Sequence, residues 1–323
     1  MSFFSRLRNI LLYCFMVSFG FMLMLLVIVF MAIRFTPLCL FRGKKKYFER
    51  PACMNDPHLG THGNVRTGDG DIHYVVSGPR DKPLMLFVHG FPENWHSWRH
   101  QILEFQKDYS GFKAVLTQLG HSSCVLVGHD YGGVISWYFA GAYPDLVDKL
   151  IILNAPEVSQ LQEVLYSNLK QTFKSWYMFA YQIPWIPEFM VGLNFDFLRD
   201  AYACNAGNTN VTDEDIDAIK YGLCQPGALT ATINYYRANN ASPTRSYMRS
   251  AILCPTLLIW GMDDMYLDVV LTEGHDKYVQ DLTVAKIHGA NHFVNQHKPD
   301  EVNKKMREFL QGDGSEDVGN IIS

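Results

Sequence analysis

The stretch CVLVGHDYGG, residues 124–133, limits what this chain can fold into more than any other. Cys124 to Val127 read as a buried strand, Gly128 breaks it, and Gly132 and Gly133 let a helix start hard against a sheet. A strand that becomes a helix within so few residues forms an elbow, and the exposed residue at its tip is usually a nucleophile. Here the tip is Asp130, where serine is the usual occupant. An aspartate attacks a saturated carbon to form an alkyl ester, and water then cleaves that ester at the aspartate's own carbonyl. A serine ether would be inert to water, so the carboxylate points to an alkyl electrophile such as an epoxide or alkyl halide.

The pattern around the elbow predicts the class. Ile72 to Val76 alternates, and Leu84 to Val88 is apolar throughout, as an inner parallel strand requires. Trp95 to Tyr109 has helical periodicity, and Val134 to Tyr143 is a helix stopped by Pro144. Lys149 to Leu153, Thr256 to Trp260 and the more polar Thr283 to Ile287 are further strands, and Pro299 to Leu310 is a closing helix. Strands alternating with helices predict an α/β fold with a doubly wound, mostly parallel sheet. Its core is expected over 71–156 and 250–311. Residues 157–249 are aromatic and helical, punctuated by Pro184, Pro187 and Pro226, and read as an inserted lid. The polar tail 312–323 is expected to be disordered.

Ahead of this core, after a short flank 1–9, Ile10 to Ile33 carries no charge. As a helix it would reach about 36 Å, more than a hydrocarbon core of about 30 Å. A cleaved signal peptide would be shorter and would end in small residues; here Arg34, Arg42, Lys44, Lys45 and Lys46 follow instead. Residues 10–33 therefore read as a single-pass signal-anchor outside the globular fold, and 34–70 as a basic juxtamembrane connector. The positive flank places the catalytic part on the cytoplasmic side, with the endoplasmic reticulum as the expected membrane and bilayer lipid as a partner. Asn210-Val-Thr and Asn240-Ala-Ser are sequons that would matter only in a lumenal domain. A net charge of −4 argues against nucleic acid as a partner. Seven scattered cysteines without CxxC spacing fit a reducing compartment better than a disulfide framework or zinc knuckle.

Several motifs now fall in one order: His89-Gly90-Phe91-Pro92-Glu93 with Trp95 and Trp98 behind it, Gly128-His-Asp130-Tyr-Gly132, Gly261-Met-Asp-Asp264 and Gly289-Ala-Asn-His292. Together they resemble the α/β-hydrolase fold epoxide hydrolases, in particular the membrane-anchored branch, over most of 72–310. The resemblance implies that the backbone N–H groups of Phe91 and Tyr131 form an oxyanion hole. It also implies that Asp130 is the nucleophile and that His292, oriented by Asp264, activates the hydrolytic water. Asp263 is adjacent, and the family spacing favours Asp264. Two lid tyrosines would protonate the opening epoxide. Tyr177, five residues before Gln182, and Tyr236, within Asn234-Tyr-Tyr-Arg237, match them. His89, Gly90, Pro92, Gly128 and Gly132 support the motifs. No cofactor or metal is expected, and the His288–His292 spacing lacks the ligand pattern of a metal site. Gly120-His-Ser-Ser-Cys mimics a serine elbow but precedes the strand and lacks the final glycine.

The implied activity is conversion of a lipophilic epoxide, with a place in lipid metabolism, to a vicinal diol. A haloalkane or haloacid dehalogenase would share the aspartyl mechanism, but usually carries a tryptophan where Tyr131 stands. The chain also departs from the family in one respect. No Asp-x-Arg-Gly-x-Gly occurs between the HGFPE helix and the elbow. About thirty residues, enough for a strand and its crossover, are missing near 109–111. The expected outcome is an open slot beside Leu84–Val88, with the crossover helix moved to the other face of the sheet by the right-handed rule. A third reading follows from that gap: a non-catalytic membrane protein that binds partners or lipid.

Overall fold

The computed structural model describes residues 3–34, 49–67, 70–109, 122–193, 195–202, 210–240 and 251–312. The basic cluster 42–46, the site of the expected gap at 110–111, the second half of the crossover, the end of the lid and the tail from 313 lie outside the described residues.

Five strands form a parallel sheet in the order β3 (Met85–Val88), β4 (Cys124–His129), β5 (Val147–Leu153), β6 (Thr256–Gly261) and β7 (Leu282–Ile287). β4 and β6 are buried at every residue, matching their unbroken apolar runs, whereas β7 is largely exposed and its sequence is polar. Strand side chains alternate between faces. Leu126, Leu150, Ile152 and Trp260 meet Trp137 and Ala140 of α3 (Tyr131–Ala142) on one face. Val125, Val127, Ile151 and Ile259 meet α2 (Arg99–Phe105) and the closing helix α12 (Pro299–Gln311) on the other.

Four expectations need correction, three of them around the sheet. The stretch assigned to connector contains β1 (Thr61–Thr67), which pairs antiparallel with β2 (Gly70–Val76) as a separate two-stranded sheet. Its residues THGNVRT are too polar to read as a strand alone; register with β2 makes them one. The helix expected over 95–109 is a 3₁₀ turn at Trp95–Trp98 followed by the short α2. Nor has α2 moved to the face of α3. Phe105 packs with Phe87 and Met306, and the Gln101 side-chain amide donates to the Asn295 carbonyl of the short α11 (Val294–His297) and to Asn303 Oδ1, at 3.1 and 3.0 Å. Those contacts hold α2 beside α12.

Among the described residues, β3 has β4 as its one strand partner. Between β3 and the β1–β2 hairpin lies a cleft of about 420 Å³ lined by Val75, Met85, Phe87, Trp98, Tyr109 and Ile135, among others.

Seven helices make the described lid: α4 (Val158–Ser167), α5 (Leu169–Lys174), α6 (Trp176–Ala180), α7 (Ile186–Leu193), α8 (Asp196–Tyr202), α9 (Asp213–Cys224) and α10 (Ala228–Asn240). The N-terminal helix α1 (Phe3–Arg34) contains one segment, Arg6–Leu26, long and apolar enough to cross a membrane. It does not stand apart from the fold as expected. Met16 is buried with Leu165 and Phe179, and Gly20 sits so close to α6 that an added Cβ would meet the Ala180 Cβ at 2.9 Å.

Candidate active site

The elbow is built as its sequence demands. Asp130 ends β4 at φ 50°, in the left-handed region that few non-glycine residues adopt, and begins α3. The surrounding glycines are required by close approach. A Cβ on Gly132 would lie 2.0 Å from the Val88 carbonyl oxygen, and one on Gly128 would lie 2.5 Å from the Gly132 oxygen. A Cβ on Gly90 would strike Asp130 itself, 2.5 Å from its Cβ. The HGFPE loop and the elbow therefore touch through glycine. That contact lets the Phe91 N–H donate to Asp130 Oδ1 at 2.8 Å.

On the other side of the carboxylate, His292 Nε2 lies 3.4 Å from Asp130 Oδ2, and His292 Nδ1 lies 2.6 Å from Asp264 Oδ2. Asp264 Oδ1 accepts from the backbone N–H groups of Tyr266 and Leu267 at 2.7 and 2.9 Å. The adjacent Asp263 has no such contact with His292 among the described bonds, so Asp264 is the carboxylate that meets the ring. Burial works to lower the His292 pKa, but the two carboxylates outweigh it and raise the pKa to about 10. Burial works to raise that of Asp130, yet His292, His129 and the Phe91 N–H leave it lowered. Asp130 and Asp264 thus flank the two ring nitrogens of His292.

The lid closes over it. Tyr177 of α6 and Tyr236 of α10 meet with ring centroids 5.7 Å apart, and Tyr236 also packs edge-on against Tyr131 and Phe91. Burial first, with neighbouring tyrosines and the Asp130 charge adding to it, raises both phenol pKa values well above 10, so both stay protonated and able to donate. Gln182 explains its spacing from Tyr177. Its amide donates to the Met178 and Tyr236 carbonyls, each at 3.0 Å, tying α6 to α10. Arg237 finishes the clamp, binding Glu188 at 2.6 and 3.0 Å and the Tyr181 and Ile183 carbonyls. Asp130, Tyr131, Tyr177 and Tyr236 share a cavity of about 60 Å³ with Leu161, Leu165 and Leu267.

Two supports escaped sequence reasoning. Asn154, at φ 41°, donates to Asp264 Oδ2 at 2.7 Å and accepts from the Gly261 N–H at 2.9 Å, so the end of β5 aims the acid at the end of β6. Behind the elbow, Glu93 Oε2 holds His129 Nδ1 at 2.8 Å, and His129 Nε2 reaches the His292 carbonyl oxygen at 2.9 Å. Gln296 donates to Glu93 Oε1 at 2.6 Å. Burial would raise the Glu93 pKa, but His129 holds it low. Glu93 and His129 each sit inside a motif, which was a signal; that they pair across 36 residues was not. His89, in contrast, is exposed at the edge cleft.

Cys53, His96 and Asp215 place one ligand atom each within 4.8 Å of one another. Arg99 Nε and His96 Nε2 already occupy Asp215 Oδ1 at 3.1 and 2.9 Å, and Thr212 occupies Oδ2. A guanidinium in that place opposes a metal cation, so the donor set does not fit one.

A parallel sheet with a nucleophile elbow, a late acid and histidine, and a lid inserted between β5 and β6 is an α/β hydrolase, and residues 112–299 match the family model of the alpha/beta hydrolase fold. The chain belongs to that family and, within it, to the epoxide hydrolases. It is 37% identical over 316 residues to human epoxide hydrolase 4, covering 84% of this chain and 86% of the relative. It is 37% identical over 315 residues to epoxide hydrolase 3 of Xenopus tropicalis, covering 86% and 85%. A Bacillus megaterium epoxide hydrolase solved with an inhibitor superposes with a TM-score of 0.68 at 28% identity, covering 78% of this chain and all of that one.

Proposed function

We propose that this chain hydrolyses a lipophilic epoxide to a vicinal diol through an ester on Asp130. One observation carries the reading: Asp130 is held at the elbow with the Phe91 N–H on Oδ1 and the His292–Asp264 pair at Oδ2. With Oδ1 committed to the hole, Oδ2 is the oxygen that bonds ring carbon. The ring C–O bond breaks as that bond forms, and the leaving oxygen takes a proton from Tyr177 or Tyr236. Ester formation removes the Asp130 negative charge, one of the causes that raises the His292 pKa, so the ring more readily gives up its proton, which returns to the tyrosinate, and leaves a neutral imidazole free to act as the base. It then takes a proton from water as that water attacks the Asp130 carbonyl carbon, with the developing charge on Oδ1 facing the Phe91 and Tyr131 N–H groups. Cleavage returns the carboxylate and releases the diol. No step calls on a cofactor.

The alternatives have weaker support. A dehalogenase would use the same carboxylate, but the paired lid tyrosines suit an alkoxide, and the relatives described above are epoxide hydrolases. The open edge at β3 is the feature that favours a non-catalytic binding protein. The Asp130 constellation is complete beside it. The apolar α1 attaches the enzyme to a membrane, and the basic flank favours the cytoplasmic face, with the endoplasmic reticulum as the site.

A single turnover of styrene oxide in ¹⁸O-water is the test. The diol should carry no heavy oxygen while the Asp130 peptide gains it by mass spectrometry. Diol labelled fully from solvent would overturn the ester route.

A further inference from the structure

The way α1 sits is at odds with an isolated anchor. Its buried stripe, Met16, Gly20 and Met24, faces the lid. Tyr13 packs edge-on against Phe179 and Phe19 against Phe173. From Leu12 to Met24 the contact runs for about 18 Å. The opposite side, Leu11, Phe15, Met22, Leu26 and Val29, is exposed and apolar. A helix on the surface of a water-soluble protein turns a polar face outward. This one does not. Ser18, which lies on the exposed side, donates its hydroxyl to the Cys14 carbonyl at 2.9 Å, so the helix satisfies it internally.

The apolar surface continues onto the lid. Leu169, Phe173, Trp185 and Phe189 are exposed on α5, α7 and the turn between α6 and α7, with Trp185 84% accessible. If α1 crossed both leaflets while keeping this contact, it would carry Lys170, Lys174 and the Arg237–Glu188 pair into hydrocarbon, at prohibitive cost. The wall between α1 and the site is thin. Leu165 packs in the same cluster as Met16 and also lines the cavity that holds Asp130, Tyr177 and Tyr236.

We propose that α1 and the outer face of the lid form one surface immersed in a single leaflet of a bilayer, and that the epoxide reaches Asp130 from the acyl layer, past Leu165. The inference rests on the membrane attachment proposed above and replaces a bilayer-crossing anchor with one lying in the leaflet plane. Continuity with α1 is what identifies the occupant. A lipid leaflet can cover the helix and the lid aromatics together.

The full-length chain, reconstituted in phosphatidylcholine vesicles that contain a diazirine-acyl phosphatidylcholine, is photolysed and mapped by peptide mass spectrometry. Label is expected on Leu11, Phe15, Met22 and Leu26 and on Phe173, Trp185 and Phe189, with Met16 and Met24 at least five-fold less labelled. Label on every side of α1 with none on the lid would overturn this inference and leave membrane attachment standing. An unlabelled α1, including one covered by a second copy, would overturn both. In Gly20→Leu, the new side chain cannot fit against the Ala180 backbone, 3.1 Å from the Cβ position. Labelling of Met16 should then rise several-fold while that of the lid aromatics falls, and an unchanged map would also overturn the inference.

Discussion

The two sides of the Asp130 carboxylate are supported very differently. On the His292 side, β4, β5 and β6 lie inside the sheet with parallel neighbours on both edges, and Asn154 and the Tyr266 and Leu267 N–H groups fix Asp264. On the Phe91 side, β3 is paired along one edge only among the described residues, and a 420 Å³ cleft lies beside it. The Phe91 N–H nevertheless reaches Asp130 Oδ1, because Gly90 and Gly132 let two loops interlock at backbone distance. His292 is held by the sheet. The Phe91 N–H is held by a local contact that does not depend on the edge.

The largest expected effect probes the point both sides share. Asp130→Asn should abolish the covalent adduct and reduce diol formation by roughly 10⁴-fold or more, read by trapping and steady-state kinetics; residual adduct at that peptide would break the assignment. His292→Gln acts on the interior side alone. It should leave ester formation largely intact and slow its hydrolysis by about 10³-fold, so adduct accumulates in a quenched sample. Tyr177→Phe and Tyr236→Phe should each slow adduct formation by about 100-fold without slowing its breakdown. An equal loss in both half-reactions would assign the tyrosines to packing.

Stability sharpens the contrast further. Ile151→Ala, inside the sheet, should cost about 4 kcal/mol in denaturant unfolding. Met85→Ala, which borders the cleft, should cost about 2 kcal/mol, because the open cleft already leaves part of its surroundings unfilled. Equal costs would show that the edge is packed as tightly as the interior. The smallest expected effect is on pH dependence. The folded pKa of His292 is raised above its unfolded value of about 6.5. Its stabilising contribution is therefore fully present below that value and lost as pH climbs towards about 10. Removing the Asp130 charge should lower the His292 pKa and move that loss to lower pH, as followed by the His292 ring carbon in NMR.

Much of this was written locally. An inner parallel strand is apolar on both faces, so β3 to β6 stood out as runs, and the elbow needs glycine only where backbones meet, so its motif lies within ten residues. The order of Asp130, Asp264 and His292 followed from strand ends that any such sheet brings together. β1 was invisible because its polar residues become a strand only through pairing with β2. The face chosen by α2 was misread because Asn295 and Asn303, some two hundred residues away, hold it there.

What residue order determined by itself was the bend at residue 130 and the carboxylate at its tip, since those rest on neighbours a few positions apart. Tertiary structure alone decided how Asn154 and the Gln296–Glu93–His129 chain brace the Asp264–His292 pair, and that an apolar helix lies along the lid. Each depends on groups distant in sequence meeting in a packed interior, where geometry and desolvation select partners that no local pattern names.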